Sequence, residues 1–310
     1  MGEIGVFGQT RDGRDVRQVT LQNGDLRVVC LTHGARVHEV TKGASGNLVA
    51  SSDTVAGYEG PDIAANSIIG PVANRISGAR AMIGGKEYRF EANQDGRICL
   101  HSGSTGSHGK LWEIVEQGAD HVTFEVNLPD GEGGFPGNRT LRTTYALTDD
   151  RTLGVTITAG TDALTLMNPV FHPYWRLSGD SWAGHRLHVP AAQYLPRNAD
   201  SYPTGEIADV AGSAFDLRQP VEPPAMLDNC YCFAPSEGAL RLMAEVTGPG
   251  GERLEVRSDA PALQVYCGRP DGIALEPQLW PDAPNNPHFP SILLGAGERF
   301  LQKSLYILDI

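Results

Sequence analysis

Two stretches of this chain set a proton donor and a proton acceptor at the ends of strand-like runs. His172 lies within NPVFHPYWRLSG, residues 168–179, between Phe171 and the run Pro173-Tyr174-Trp175. An imidazole titrates near neutral pH, and aromatic rings stack on the apolar face of a sugar. The stretch therefore suits proton donation beside a stacked ligand. Glu276 closes the apolar run of IALEPQLWPDAPNN, residues 273–286, immediately before Pro277 and Gln278. One acid and one base at strand mouths point to proton transfer, although two ordinary strand-end polar residues would read the same way.

Three further clusters offer contacts rather than proton transfer. Asn74-Arg75 sits in the small, apolar stretch GPVANRISGAR, residues 70–80. A guanidinium carries five donors in a rigid fork, suited to hydroxyl or carboxylate oxygens or to a plain salt bridge. His101 follows Ile98-Cys99-Leu100 and precedes a glycine-rich loop, so a strand end delivers it to a flexible rim. Backbone groups could equally satisfy it. Asp228 stands just before the thiol-rich strand of MLDNCYCF, residues 226–233, where it could bind hydroxyls or cap a turn. His185 and His188, three apart on a strand, point to opposite faces. The run GEGGFPGN lacks a phosphate loop's lysine, and neither a Gly-x-Ser-x-Gly elbow nor a dinucleotide fingerprint occurs. Cys230 and Cys232 have the wrong spacing for a zinc knuckle.

The elements that must position these groups are strands. VRQVTL (16–21) and LRVVCL (26–31) flank Asn23-Gly24, a strong hairpin cue. Further strands are expected at 88–92, 111–117, 121–128, 140–147, 152–159 and 163–170. Others are expected at 185–190, 240–246, 253–257, 262–267, 272–276 and 304–309. Alternation is clear in HVTFEVNL, where Val122, Phe124, Val126 and Leu128 share one face. No apolar period of 3.6 residues persists, so long helices are not expected. With 37 glycines and 21 prolines marking turns, the pattern predicts an all-β fold, a large antiparallel β-sandwich, as a single domain over residues 1–310. The segment 191–235 is the least strand-like and is expected to cover one end.

A formal net charge of −12 argues against nucleic acid or an anionic membrane surface as partner. No apolar run is long enough to span a membrane, and no secretory signal opens the chain. The five cysteines form an odd set in apolar runs and read as reduced thiols of a cytoplasmic protein.

At this point the motifs carry a resemblance. GPVANRISGARAMIGGKEYRFEANQDGRICLHSG is similar to the aldose 1-epimerase (galactose mutarotase) family, with its Asn-Arg-Ile and later His-Gly-Gly. The segment from FPGNRTLRTTYAL through NPVFHPYWRLSG, then LDNCYCF, then LQVYCGRPDGIALEPQLWPDAPNN follow in the family's order. The resemblance implies the family's galactose mutarotase-like supersandwich, with Glu276 as catalytic base and His172 as catalytic acid. By the same resemblance His101 and Arg75 hold the sugar, while Asp228, Asn74 and Gln278 contact hydroxyls. It implies no metal and no organic cofactor, a free monosaccharide such as galactose or glucose as substrate, and a monomer or homodimer.

Two departures bear on the substrate. Ser102-Gly103 follows His101 where the family has Gly-Gly, and Arg176 stands where it usually has Asn. An Arg176 facing the pocket would favour an acidic sugar, a uronate or sulfonated hexose; facing away, it is a surface charge. A non-catalytic sugar-binding sandwich is the other alternative, but binding alone requires neither a proton donor nor a base.

Overall fold

The computed structural model describes residues 3–310. Three antiparallel sheets organise them. Asp15–Asn23 and Leu26–Leu31 form the expected hairpin, with Asn23 paired to Leu26 across the Gly24 turn. With Glu3–Gln9 and Arg36–Lys42 they make a four-stranded sheet. The largest sheet has eight strands, in the order Glu113–Gln117, His121–Leu128, Arg139–Leu147, Thr152–Thr161, Arg299–Asp309, Arg253–Ser258, Arg241–Thr247 and Arg186–His188. A six-stranded sheet runs Tyr174–Trp175, Ile273–Gln278, Ala262–Tyr266, Asp228–Cys232, Gln193–Leu195 and Ala208–Asp209.

Alternation explains how the layers meet. Val122, Phe124, Val126 and Leu128 are all buried and join Leu141 and Tyr145 of the neighbouring strand. Tyr231, Leu263, Val265, Ile273 and Leu275 of the six-stranded sheet belong to the same connected core, as do Val19, Leu21 and Val28 of the four-stranded one. Each such side chain contributes roughly 1.5–3 kcal/mol by leaving water. The Tyr306 hydroxyl donates to the Leu275 carbonyl at 3.3 Å, tying the eight-stranded sheet to the six-stranded one.

Because a strand reverses its side chains at every residue, the other face of the six-stranded sheet carries a different set. Cys230, Gln264 and Glu276 stand in one cross-strand row, and Asp228, Tyr266 and Ala274 in the next. The apolar positions between them fix this register, since a slip by one residue would bury Glu276 in the sandwich core.

Several boundaries differ from expectation for local reasons. The expected strand over 163–170 is two short pieces, Thr165–Leu166 and Val170–Phe171. Between them Pro169 lacks an N–H, and the Asn168 N–H donates to Pro71 instead. The segment 191–235 supplies half the strands of the six-stranded sheet rather than a cover for one end. Its strands are short and separated by turns, so no sequence period betrays them. The strand expected at 88–92 is Lys86–Arg89, paired with Arg80–Ile83. Among the described residues helix is limited to short turns such as Val55–Tyr58, whose cap Thr54 accepts the Gly57 N–H at 3.2 Å.

Candidate active site

The polar face of the six-stranded sheet floors a cavity of about 240 Å³. His172 and Glu276 meet there, Nε2 to Oε1 at 3.3 Å, with both side chains buried. Glu276 arrives from the middle of the sheet. His172 arrives from a break between two short strands, and backbone hydrogen bonds fix it. Its N–H donates to Ser67 at 3.0 Å, and its carbonyl accepts the Asn66 N–H at 2.8 Å. The Asn66 side chain then accepts the Tyr174 N–H at 2.8 Å and donates to the Ala50 carbonyl at 2.6 Å. Pro173 needs no such partner, since it has no N–H.

A second arm brings Asn74, Arg75 and His101. The two-residue strands Arg75–Ile76 and Cys99–Leu100 pair, and the residues at their ends adopt left-handed backbone conformations, Asn74 at φ 60 and His101 at φ 53. Each such non-glycine residue costs about 1–3 kcal/mol, a strain that clusters at functional sites. The His101 N–H donates to the Asn74 carbonyl at 2.9 Å, and the Asn74 N–H donates to His101 Nδ1 at 3.1 Å. Accepting at Nδ1 places the proton of a neutral His101 on Nε2. His101 is therefore a hydrogen-bond donor on its free side, not a base.

The remaining contacts converge on Asp228. Gln264 Nε2 donates to Oδ1 at 2.7 Å and Arg197 Nη1 to Oδ2 at 3.2 Å, while Arg75 Nη1 lies 3.8 Å from Oδ2. Arg75 is held in turn by Gln94, which accepts from its Nε at 3.0 Å.

Burial sets the charge states. It pushes Glu276 well above the usual carboxylate range, with the Asp228 charge adding and Arg75 opposing. It pushes His172 down to about 3, with the residue's own backbone carbonyl opposing and with His108 and Arg269 adding more weakly. His101 is also held well below its ordinary value by burial, with the neighbouring histidines adding. Burial therefore disfavours both the Glu276 carboxylate and the His172 imidazolium. Among the described residues, the carboxylate within ion-pair distance of His172 is Glu276 itself, and desolvation favours the neutral pair with the proton on the carboxyl.

Of the residues singled out in the sequence, His172, Glu276, His101, Arg75, Asn74 and Asp228 all line this cavity. Gln278 does not. It is fully buried two residues beyond Glu276, on the same face but in the next row, with Ala262 and Cys232, outside the cavity lining. The aromatic ring around His172 is also only partly realised. Tyr174 lines the cavity, but Phe171 and Trp175 turn into the sandwich core. Arg176 faces away, donating from Nε to the Asn47 carbonyl at 3.5 Å, with Asp180 3.8 Å from Nη1. Sequence reasoning missed Gln264 and Tyr266, both in the lining. The signal was present in ALQVYC, where two polar-tipped residues alternate with buried Leu263 and Val265. Among the described residues no group of three or more His, Cys, Asp or Glu is arranged to hold a metal ion.

Comparison with known proteins bears on the fold and on the family. The chain is 33% identical to the galactose mutarotase of Bos taurus and 32% identical to that of Homo sapiens, covering 95% of both partners in each case. The aldose 1-epimerase of Escherichia coli (strain K12) is 28% identical over 95% of this chain and 96% of its own. The crystal structure of an aldose epimerase homologue from C. elegans superposes with a TM-score of 0.88 at 24% identity, over 95% of this chain and 99% of the other. Galactose 1-epimerase from Lactobacillus acidophilus NCFM gives 0.87 at 24% identity, over 100% and 98%. The fold is theirs. With residues 17–306 matching the family model as well, this chain belongs to the aldose 1-epimerase family.

Proposed function

We propose that this protein is an isomerase, an aldose 1-epimerase that interconverts the α and β anomers of a free aldose such as galactose or glucose. The observation that carries the reading is the buried contact of 3.3 Å between His172 Nε2 and Glu276 Oε1. Burying two titratable groups costs several kcal/mol. A site that only bound sugar would gain nothing from that cost.

The pair holds one mobile proton. It can rest on the carboxyl, as desolvation favours, or on the imidazole, and the two forms have the same net charge. A sugar whose anomeric hydroxyl donates to Glu276 and whose ring oxygen accepts from His172 selects the second form, and Arg75 helps by favouring the carboxylate. Glu276 then takes the proton from the anomeric hydroxyl while His172 gives one to the ring oxygen. The bond between anomeric carbon and ring oxygen breaks as the carbonyl forms. The proton distribution left behind, carboxyl and neutral imidazole, is the one that burial favours. Rotation about the first carbon–carbon bond and reclosure return both protons, so no net proton enters or leaves. His101 Nε2–H and Arg75 steady oxygen atoms as charge develops, and Asp228 and Asn74 bind hydroxyls.

The reading extends to a neutral sugar, since Arg176 turns away from the cavity, and to one domain over residues 1–310, supported by the core shared among the three sheets. It also includes a cytoplasmic monomer or homodimer whose five cysteines are free, buried thiols.

Polarimetry of freshly dissolved α-D-galactose and α-D-glucose tests the proposal. The expected result is strong acceleration by the wild type and a loss of about 10²–10⁴-fold in kcat for either Glu276→Gln or His172→Asn. No acceleration of either sugar by the wild type would overturn the function. Full activity in both variants would overturn the roles.

A further inference from the structure

A histidine that moves a proton is ordinarily aligned by a hydrogen bond on its second nitrogen, to a carboxylate, a carbonyl or water. In this site His172 Nδ1 is buried and has no hydrogen-bond partner. Its backbone is pinned, and the other ring nitrogen, Nε2, meets Glu276 Oε1 at 3.3 Å, but that is the contact through which protons must move. On the Nδ1 side the alignment falls to packing. The Tyr174 ring lies against the imidazole, with centroids 5.0 Å apart and planes at 30°. The Arg269 guanidinium carbon sits 4.7 Å from the centroid of the Tyr174 ring. The guanidinium is itself immobilised. Asp271 accepts from Nε at 2.9 Å and from Nη2 at 2.6 Å, and Asp62 accepts from Nη1 at 2.8 Å. The Arg269 carbonyl accepts the Trp182 indole N–H at 2.6 Å, which anchors the backbone of the loop as well.

We infer that Arg269, acting through Tyr174, orients the His172 imidazole, in place of the hydrogen-bonded third group that usually aligns such a residue. Arg269 is a positioning residue that ties the 59–66 segment, through Asp62, to the loop before Ile273–Gln278, through Asp271. The inference rests on the proton-transfer role proposed for His172. Around that ring stand Glu276 from the six-stranded sheet, His101 after Cys99–Leu100 and His108 from the glycine-rich loop. Tyr174 comes from the same segment, and the Arg269 cation lies behind it. Arg75 and Asp228 lie across the cavity. Burial is the main bar to an extra proton on the imidazole, and the Arg269 cation adds a smaller effect in the same direction.

The test separates orientation from charge and from mere structural damage. In Arg269→Met both the plane and the charge are lost. The expected result is a fall in kcat of about 10-fold or more, with KM changed less than about twofold. Both limbs of the pH profile of kcat/KM move to higher pH, because loss of a cation makes every protonation of the pair easier. Arg269→Lys restores the charge without the plane or the double tether, so the limbs return while kcat stays low. Asp271→Asn frees one side of the guanidinium and removes a negative charge. It lowers kcat less and moves the limbs the opposite way, which damage to the fold would not do, and it decides the matter if Arg269→Met fails to fold. The His172 ring resonances, followed by NMR against pH without sugar, must shift in the same directions. A rise in KM at unchanged kcat, or unchanged ring titration in these variants, would overturn the inference. Lack of mutarotation by the wild type would remove the proposed function instead, leaving the NMR result to judge the stack.

Discussion

The cavity has two walls built by different physics. Asp228, Gln264, Tyr266 and Glu276 stand on three adjacent strands, at positions alternating with buried Leu and Val side chains. Their placement follows from strand periodicity and from the core behind the sheet. Asn74, His101 and His172 stand instead on segments with two-residue strands, pinned by individual buried side chains. Asn66 joins the backbones at Ala50 and Tyr174. The Ser102 hydroxyl donates to the Val72 carbonyl at 2.8 Å and accepts the Val72 N–H at 2.9 Å. Asn168 accepts the Leu279 N–H at 2.9 Å. A wall held by repetition spreads its support over many contacts. A wall held by single polar side chains concentrates support, so one change there should cost more.

Asn66→Ala is the sharpest way to break that comparison. It leaves a buried carbonyl and a buried N–H without partners, at about 1–3 kcal/mol each. It also frees the segment that carries His172, and misplacement near 1 Å can cost about 10²-fold in rate. Urea unfolding and polarimetry should show both losses, and wild-type values in both would mean the loop wall does not depend on Asn66. On the sheet wall, Gln264→Leu removes one donor from Asp228, which keeps Arg197 and Arg75. The expected effect is a KM rise of about 10-fold with kcat nearly preserved, and a stability loss of about 1–2 kcal/mol, smaller than for Asn66→Ala. A collapse of kcat comparable to that of Asn66→Ala would erase the distinction between the walls.

The same division decides what could be read from the sequence. Strands with long alternation, such as His121–Leu128, were legible almost to the residue, because period two needs no tertiary information. Glu276 was legible as a lone carboxylate in an apolar strand. His172 and His101 drew notice by residue type and neighbours, but nothing local shows that residues 172 and 276 meet. The supports Asn66, Ser102 and Asn168 look like ordinary loop residues until their backbone partners are known. Gln278 shows the converse failure. It shares a face with Glu276, yet the cavity closes one row earlier, and only the packing of neighbouring strands reveals that. Arg269 was silent for the same reason, since its partners Asp62 and Tyr174 are remote in sequence.

The two walls also titrate in opposite directions, which gives the smallest of the expected effects near neutral pH. His33, whose neighbour Gly34 donates its N–H to the Lys110 carbonyl close to His108, is only 2% exposed, and burial pushes it down to about 3, with Arg36 and His108 adding. Its unfolded value is about 6.5. Below that value the unfolded chain binds a proton that the folded one resists, so stability is lost as pH falls from about 6.5 towards 3, by at most about 1.4 kcal/mol per pH unit for this one group. Glu276 on the sheet wall is raised, so its part in stability is present at low pH and is lost as pH rises above its unfolded value of about 4.3. Urea unfolding between pH 4 and 8 should therefore show His33→Gln flattening the acid side of the stability curve. Glu276→Gln should flatten the opposite slope and raise stability relative to wild type as pH increases. If both variants changed the acid side alone, the buried carboxyl would not be raised, and the neutral form of the His172–Glu276 pair would lose its physical basis.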